Sequence, residues 1–307
     1  MTVNETSNPN FPQLKLLLTP EWQDYELIDS GHGAKLERYG PYTFVRPEHQ
    51  AIWQPALPPE HWQVAHAVFE PTGEESGGRW QLNKPVKTPW KMDYKGLRFL
   101  AFTTNSRHMG VFPEQAVHWD WTSAQIAKRR VNSASPIRVL NLFGYTGLAT
   151  LAAAQAGAQV THVDASKKSI LVARENQALS SLGECPVRWL VDDAFKFVRR
   201  EVRRGSQYEG IILDPPKFGR GPQGQVWELF ESLPELLQNC RSLLSPQPCC
   251  VVLTAYAIRA SALSVYYAIQ EMVSGLGGIL ETGETALVEK SANRLLSTAI
   301  FARWAAN

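Results

Sequence analysis

The sequence predicts an α/β fold: a doubly wound, mostly parallel sheet of seven strands, closed by an antiparallel hairpin and preceded by a small β-rich N-terminal domain. Three observations support this prediction. Residues 137–163 have the pattern of a strand, a helix and a second strand. From there, strands alternate with helices to the end of the chain, as in doubly wound sheets. The last two predicted strands, 278–289 and 295–304, are joined by a short connection, which favours an antiparallel hairpin.

The rest of the chain is organised around the first strand–helix–strand unit. Residues 137–142 are a near-continuous apolar run, typical of a buried parallel strand, and Gly144 and Gly147 interrupt the pattern directly after it. An alanine-rich helix over 148–156 follows, and the second strand ends at Asp164. Glycines at such a turn let a ligand approach the backbone, and an acid at the tip of the second strand can accept hydrogen bonds from a ribose diol.

The remaining elements follow from the same periodicities. Three further strands are predicted at 187–191, 210–213 and 250–256. Four further helices are predicted at 169–181, 194–204, 226–243 and 260–274. Pro234 is expected to split or kink the third of these helices, because proline cannot donate to the helical ladder.

The N-terminal part of the chain differs in composition. Residues 1–18 are expected to be a disordered tail, since the chain begins with a polar run rich in Asn, Thr and Ser. Residues 19–120 are predicted to form a small β-rich domain for substrate or RNA binding, and 121–307 the α/β domain. Seven of the ten tryptophans lie in the first 121 residues, so we expect large aromatic side chains to dominate the core there.

Composition and charge narrow the possible functions. A formal net charge of +2 and a pI near 8.3 permit a nucleic-acid partner without requiring one. The four cysteines have neither metal-ligand nor disulfide spacing, which favours a cytoplasmic location. No histidine pair predicts a metal site, and no apolar run is long enough for a membrane helix. The sequence leaves the oligomeric state open.

Residues 84–107 combine basic and aromatic side chains. The basic groups could follow RNA phosphates while Trp90, Tyr94 and Phe99 stack on unpaired bases. The same pattern also describes an ordinary hairpin with one solvated face, and the sequence favours that alternative. The basic residues of the predicted helix 194–204 are likewise interpreted as a solvated face.

Polar or glycine-rich groups follow four successive strands of the predicted sheet. They are the turn 141–147, Asp164, the pair Asp192 and Asp193, and Asp214. One such group alone would indicate a turn or a helix N-cap. Because ligands of open α/β sheets bind at the carboxyl ends of the strands, their recurrence predicts a ligand site there.

Four motifs resemble those of the class I S-adenosylmethionine (SAM)-dependent methyltransferases. They are Asn-Leu-Phe-Gly-Tyr-Thr-Gly at 141–147, Val-Asp-Ala-Ser at 163–166, Asp-Asp-Ala-Phe-Lys-Phe at 192–197 and Asp-Pro-Pro-Lys-Phe at 214–218. The match is closest to the bacterial group of large-subunit ribosomal RNA methyltransferases that act at cytosine C5 or guanine N7. The resemblance implies a Rossmann-like fold, SAM as the cofactor, and RNA, in particular ribosomal RNA, as the substrate.

The resemblance also implies roles for individual residues. The cofactor-binding residues would be Phe112, Gln115, Asn141, Phe143, Gly144, Tyr145, Thr146, Gly147, Asp164, Ala165, Ser166, Asp193, Ala194, Phe195 and Asp214. Asp164 would hold the ribose hydroxyls and Asp193 the adenine amino group, although Asp192 could exchange roles with Asp193. The residues bordering the transferred methyl group would be Asp214, Pro215, Pro216 and Lys217.

Two rival functions and one chemical restriction remain. A nicotinamide-dependent dehydrogenase would place glycine two positions before Gly144, where this chain has Leu142. A catalytically silent RNA-binding relative would keep the same motifs.

Methylation at cytosine C5 requires a cysteine nucleophile, which in the resembled group lies near the position of Ala255. We therefore predict an acceptor atom that is already nucleophilic and no covalent cysteine adduct.

Overall fold

The computed structural model describes residues 11–72, 77–131, 133, 135–256 and 258–307. The strands in chain order are β1 (Leu14–Leu18), β2 (Tyr25–Gly31), β3 (Ala34–Tyr39), β4 (Tyr42–Pro47), β5 (Ala67–Pro71), β6 (Gly78–Leu82), β7 (Trp90–Tyr94), β8 (Leu97–Ala101), β9 (Arg138–Leu142), β10 (Gln159–Asp164), β11 (Val187–Val191), β12 (Gly210–Leu213), β13 (Phe218–Arg220), β14 (Val226–Glu228), β15 (Cys250–Tyr256), β16 (Ile279–Val288) and β17 (Leu295–Ala305). The helices are α1 (Pro59–Gln63), α2 (Ala116–Val131), α3 (Leu148–Gln155), α4 (Lys167–Leu179), α5 (Ala194–Arg203), α6 (Leu229–Leu243) and α7 (Ala262–Met272).

The main sheet confirms the predicted doubly wound architecture. Its strands lie in the order β1-β16-β17-β15-β12-β9-β10-β11. The five strands from β15 to β11 are parallel, and β17 runs antiparallel to both of its neighbours. The sequence order therefore reverses between β9 and β12, and the carboxyl ends of both strands border a crevice suited to a ligand.

Two predictions about this sheet need correction. The predicted tail 1–18 is too long, because Leu14–Leu18 forms strand β1 and pairs in parallel with β16 as an eighth strand. Residues 1–10 of that tail lie outside the described residues. The helix predicted to begin at residue 226 begins at Leu229 and continues past Pro234, since residues Val226–Glu228 belong to a short hairpin with β13.

The N-terminal region is β-rich, as predicted. It contains a five-stranded sheet in the order β2-β3-β4-β5-β6 and a separate pair, β7 and β8. Its aromatic side chains, including Trp22 and Phe44, share one apolar core with Leu148 and Leu151 of α3. The predicted boundary between residues 120 and 121 falls inside α2. The structure thus places no gap there, and the β-rich region is packed directly onto the α/β sheet.

A buried ionic cluster also joins the two regions. Arg294, in the connection between β16 and β17, donates to both Glu289 and Asp29. Asp29 in β2 accepts further bonds from the backbone of residues 56 and 57. Because both carboxylates are fully buried, Arg294 supplies the charge that compensates them. The closing hairpin is thereby fixed to the N-terminal sheet.

The basic–aromatic segment forms a hairpin with one solvated face. Trp90, Tyr94 and Phe99 are buried, whereas Lys91 and Arg98 are exposed. The hairpin interpretation is therefore confirmed, and the expectation that these rings could stack on RNA bases is wrong. Within the described residues, no helix is long and apolar enough to span a membrane.

Candidate functional site

The first turn of the site, between β9 and α3, has a strained backbone. Phe143 and Tyr145 adopt positive φ angles of 58° and 49°, which non-glycine residues rarely occupy. Gly144 between them packs against His162, and a Cβ added there would lie 2.3 Å from the ring. The Thr150 hydroxyl contacts the Nδ1 atom of His162 at 2.8 Å. The close contact between Gly144 and His162 therefore fixes the backbone conformation of this turn.

Asp164 closes this turn from the end of β10. Its two oxygens accept hydrogen bonds from the backbone N–H groups of Tyr145 and Ser166, both at 2.8 Å. Burial raises the pKa of the Asp164 carboxyl, and these two bonds oppose that shift. Each carboxylate oxygen has a further lone pair, so Asp164 can also accept from a ligand diol.

Asp214 lies at the end of β12 in a cluster of hydroxyl and amide groups. Thr254 donates to the Asp214 carboxylate at 2.5 Å, and Gln115 donates to Thr254 at 3.0 Å. The Gln115 amide also donates to the Tyr256 hydroxyl. Burial raises the pKa of Asp214 to about 7, with a further contribution from the negative charge of Glu114. Asp214 can therefore exchange a proton near neutral pH.

Two adjoining clefts meet at Phe143. The predicted site residues that line the first are Phe112, Gln115, Asn141, Phe143, Gly144, Tyr145, Thr146 and Asp214. The predicted site residues that line the second are Phe143, Asp164, Ala165, Asp193, Ala194 and Pro216. Since Phe143 lines both, the two clefts adjoin along the carboxyl ends of the strands, and we call them together the groove.

The structure does not bring every predicted residue to the groove wall. Five of them do not line either cleft: Gly147, Ser166, Phe195, Pro215 and Lys217. Gly147 immediately precedes α3, and Ser166 caps α4 by accepting from Ser169 N–H. Phe195 lies under the Arg199 guanidinium, 4.5 Å from ring centroid to Cζ. These residues shape neighbouring elements, and any contact they make with a ligand remains a prediction.

Asp192 and Asp193 both line the second cleft, but their environments differ. Asp192 accepts from the backbone N–H of Asp193 and forms an ion pair with Arg200 at 2.7 Å. Asp193 caps α5 through one oxygen, which accepts from Lys196 N–H. Because the Arg200 guanidinium already pairs with the Asp192 charge, Asp193 remains the better predicted ligand contact.

Sequence reasoning missed several residues of the groove. Thr254 and Tyr256 bond the Asp214–Gln115 cluster, and their spacing of two at the end of β15 could have predicted a shared face. His118 on α2 lines the first cleft, and neither of its ring nitrogens has a hydrogen-bond partner among the described residues. Burial lowers the pKa of His118 to about 3, so its ring is neutral. Trp227 lines the second cleft and packs against Phe143, with ring centroids 4.9 Å apart.

Cysteine and metal chemistry receive no support from this geometry. None of the four cysteines is among the groove residues. Cys250 opens β15 at the edge opposite the groove, and burial raises the pKa of the Cys240 thiol to about 12. Within the described ranges, no group of three or more His, Cys, Asp or Glu side chains is placed to hold a metal ion.

The groove fits a nucleoside that carries a polar tail. The second cleft has the flat rings of Phe143 and Trp227 on its walls and an aspartate at its rim, which suits a purine. Asp164 lines the second cleft and can accept from a ribose diol. The first cleft adds Gln115, Asn141 and Asp214, which suit a charged amino-acid portion. This donor and acceptor set agrees with the cofactor that the sequence motifs imply.

Comparisons with known proteins agree with this geometry. A crystal structure of a SAM-dependent methyltransferase from Agrobacterium tumefaciens is 47% identical, covers 97% of both chains and has a TM-score of 0.90. A chain described as a SAM-dependent methyltransferase from Streptococcus mutans shares the fold, with a TM-score of 0.71 at 16% identity over 93% of this chain and 76% of that chain.

Curated relatives match a shorter stretch. Ribosomal RNA large subunit methyltransferase I of Klebsiella pneumoniae (strain 342) is 38% identical over 100 residues, which are 32% of this chain. The match spans 24% of that relative's length. The sequence model of the S-adenosylmethionine-dependent methyltransferase family matches residues 50–261. The chain therefore belongs to the S-adenosylmethionine-dependent methyltransferase family.

Proposed function

We propose that the protein transfers the methyl group of SAM to RNA, with ribosomal RNA as the substrate, at an atom that is already nucleophilic. The observation that carries this proposal is the position of Asp214. It has a pKa of about 7 at the inner end of a groove suited to the cofactor. A carboxylate there can accept a hydrogen bond from an N–H group of the acceptor and orient the lone pair that receives the methyl group.

Different residues of the groove bind different parts of the cofactor. Asp164 accepts from the ribose hydroxyls, and Asp193 accepts from the purine amino group, with Phe143 and Trp227 as apolar walls. When bound, SAM supplies an electrophilic methyl group. Gln115 and Thr254 hold the Asp214 carboxylate in one orientation, so that it need not reorganise when the acceptor arrives. The roles of Pro215, Pro216 and Lys217 in bordering the acceptor are part of this proposal.

The RNA substrate is proposed from three lines of support. The curated relatives are named for ribosomal RNA, the motifs resemble that group, and the hairpin formed by β7 and β8 exposes Lys91, Lys95 and Arg98. Lys95 is paired with Asp120 and Arg98 with Asp93, which reduces the free positive charge of that face. A cytoplasmic location is proposed with it, since all four cysteines are unpaired.

Methyl transfer to RNA can be tested with isotopically labelled SAM. We expect label to enter large-subunit ribosomal RNA that was transcribed in vitro and is therefore unmodified. The same RNA pre-methylated by the enzyme and unlabelled SAM is the control and should accept no further label. Because no cysteine lies in the groove, RNA containing 5-fluorocytosine should be released without a covalent adduct. Lack of label in the RNA would contradict the substrate, and a trapped adduct would contradict the acceptor chemistry.

A further inference from the structure

A short flap, residues 218–228, follows the Asp214 motif directly. It consists of β13, β14 and the turn between them. Trp227 anchors it: the ring is 5% exposed, belongs to the main core and donates from Nε1 to the Pro216 carbonyl at 2.7 Å. The backbone N–H of Leu229 donates to the Lys217 carbonyl at 3.0 Å. The base of the flap is therefore fixed beside the acceptor end of the groove.

The inner face of the flap forms one wall of the second cleft. Gly219, Gly221 and Trp227 of the flap line this cleft together with Asp193. A Cβ added at Gly221 would lie 2.9 Å from an Asp193 carboxylate oxygen, so the turn of the flap approaches Asp193 closely. The cleft that we assign to the purine is thus closed by the flap.

The outer face of the flap carries apolar and charged side chains. Strand pairing places Phe218, Arg220, Val226 and Glu228 on the side opposite Trp227, and Arg220 also borders the second cleft. Phe218 is 51% exposed and Val226 is 61% exposed, and Arg220 is also exposed. Since Trp227 already anchors the hairpin, the exposed Phe218 ring is not needed to hold it. A flat ring beside a guanidinium is the surface that an unpaired base and its phosphate bind.

Chain geometry places this outer face near the reacting atoms. Phe218 follows Asp214 by four residues, which span at most about 14 Å of extended chain. An acceptor base that enters the groove must leave its stack, so its neighbour loses a stacking partner. The span of about 14 Å between Asp214 and Phe218 would let Phe218 reach the base next to the acceptor base.

The turn of the flap is held mainly by hydrogen bonds within itself. Gly221 N–H donates to the Gln225 carbonyl at 2.7 Å, and Gly224 N–H donates to the Gly221 carbonyl at 3.0 Å. Its tip is tied to α5 by the exposed hydrogen bond from Lys196 Nζ to Gln223 at 3.0 Å. Three glycines within the flap, at 219, 221 and 224, raise the conformational entropy that must be lost when it is ordered. A purine packed against the inner face would fix the flap and so pre-organise its outer face for RNA.

We propose that the flap couples the two substrates: its inner face holds the purine of the cofactor, its outer face stacks through Phe218 on the base next to the target nucleotide, and each ligand strengthens binding of the other. This inference rests on the proposed RNA methyltransferase function. The coupling is reciprocal, because the same ordering of the flap serves both ligands.

The test measures the affinity of unmodified large-subunit ribosomal RNA by filter binding, with and without saturating S-adenosylhomocysteine (SAH). We expect SAH to tighten RNA binding by wild-type protein about tenfold. Phe218→Ala should weaken RNA binding about tenfold and leave SAH affinity within twofold of wild type. Gly221→Val should keep the RNA affinity seen without SAH, and at an SAH concentration that calorimetry shows to saturate this variant it should lose the gain that SAH provides.

Tyr267→Ala is the matched control, since Tyr267 is 49% exposed on α7 and takes no part in the flap. This variant should have the wild-type affinity for SAH and the wild-type affinity for RNA both with and without SAH. Equal RNA affinity with and without SAH in wild type, or wild-type RNA binding by Phe218→Ala, would overturn the inference. If the wild type still labels RNA, the proposed function survives that result. If the wild type does not label RNA at all, both fail.

Discussion

Asp214→Asn is expected to reduce the rate of methyl transfer by about 10²–10⁴-fold while SAH affinity changes little. The carboxylate is proposed to accept the acceptor N–H, and general-base contributions are of this size. An amide of the same shape keeps the bond from Thr254 but cannot take up the proton at neutral pH. Single-turnover rates and SAH calorimetry separate the two effects. Asp93→Asn, at an exposed position of strand β7, is the matched control.

The pH dependence should identify the same carboxyl group. With a pKa of about 7, Asp214 is protonated at pH 6 and cannot accept, so wild-type single-turnover rates should rise with pH and level off above about 7. The Asp214→Asn variant should lose this rise. A wild-type rate that is flat between pH 5.5 and 8.5, or full activity in the variant, would contradict the role of Asp214.

The same shift makes a prediction about stability. Because the folded-state pKa of Asp214 lies above its ordinary value, the folded protein binds the extra proton between about pH 4 and pH 7. The contribution of Asp214 to the free energy of unfolding is therefore largest at low pH. It falls by up to about 4 kcal/mol as the pH rises through 7. Relative to wild type, Asp214→Asn should gain thermal stability at pH 8 more than at pH 5.

Asp164→Ala is expected to weaken SAH binding by about 1.5–3 kcal/mol, or roughly 10–150-fold, the size of a hydrogen bond to a charged group. The substitution also removes the acceptor for the backbone N–H groups of Tyr145 and Ser166. Asp164→Asn retains an acceptor oxygen and should lose less affinity.

Calorimetry with SAH gives the affinities of both Asp164 variants, and thermal unfolding without ligand checks that they fold. Unchanged SAH affinity in a folded Asp164→Ala variant would show that this carboxylate does not contact the ribose.

Much of the site could be predicted because its signals are local. The turn at 141–147 and the acids Asp164 and Asp214 each follow a buried strand, and parallel strands bring those ends to one edge. Thr254 and Tyr256 were missed because hydroxyl residues at a strand end have many ordinary roles. Their bonds to Asp214 and Gln115 appear only when distant segments meet.

Other features depend on tertiary context that a local pattern does not contain. Strand β1 has mostly exposed side chains and no alternation, and it forms because β16, at the far end of the chain, offers an edge. The helix α6 continues past Pro234 despite the expected break, with Leu233, Leu236 and Leu237 packed in the core. Residues 120 and 121, where the domain boundary was predicted, lie within α2, and Trp22 and Phe44 share a core with Leu148.

The central claim is that the two clefts meeting at Phe143 form one cofactor groove. A crystal structure of the protein with SAH tests it most directly. We predict density for the purine between Asp193 and Trp227, the ribose hydroxyls within hydrogen-bonding distance of Asp164, and the sulfur on the Asp214 side of Phe143. Density for SAH outside these clefts, or a purine seated away from Asp193 and Trp227, would contradict the account.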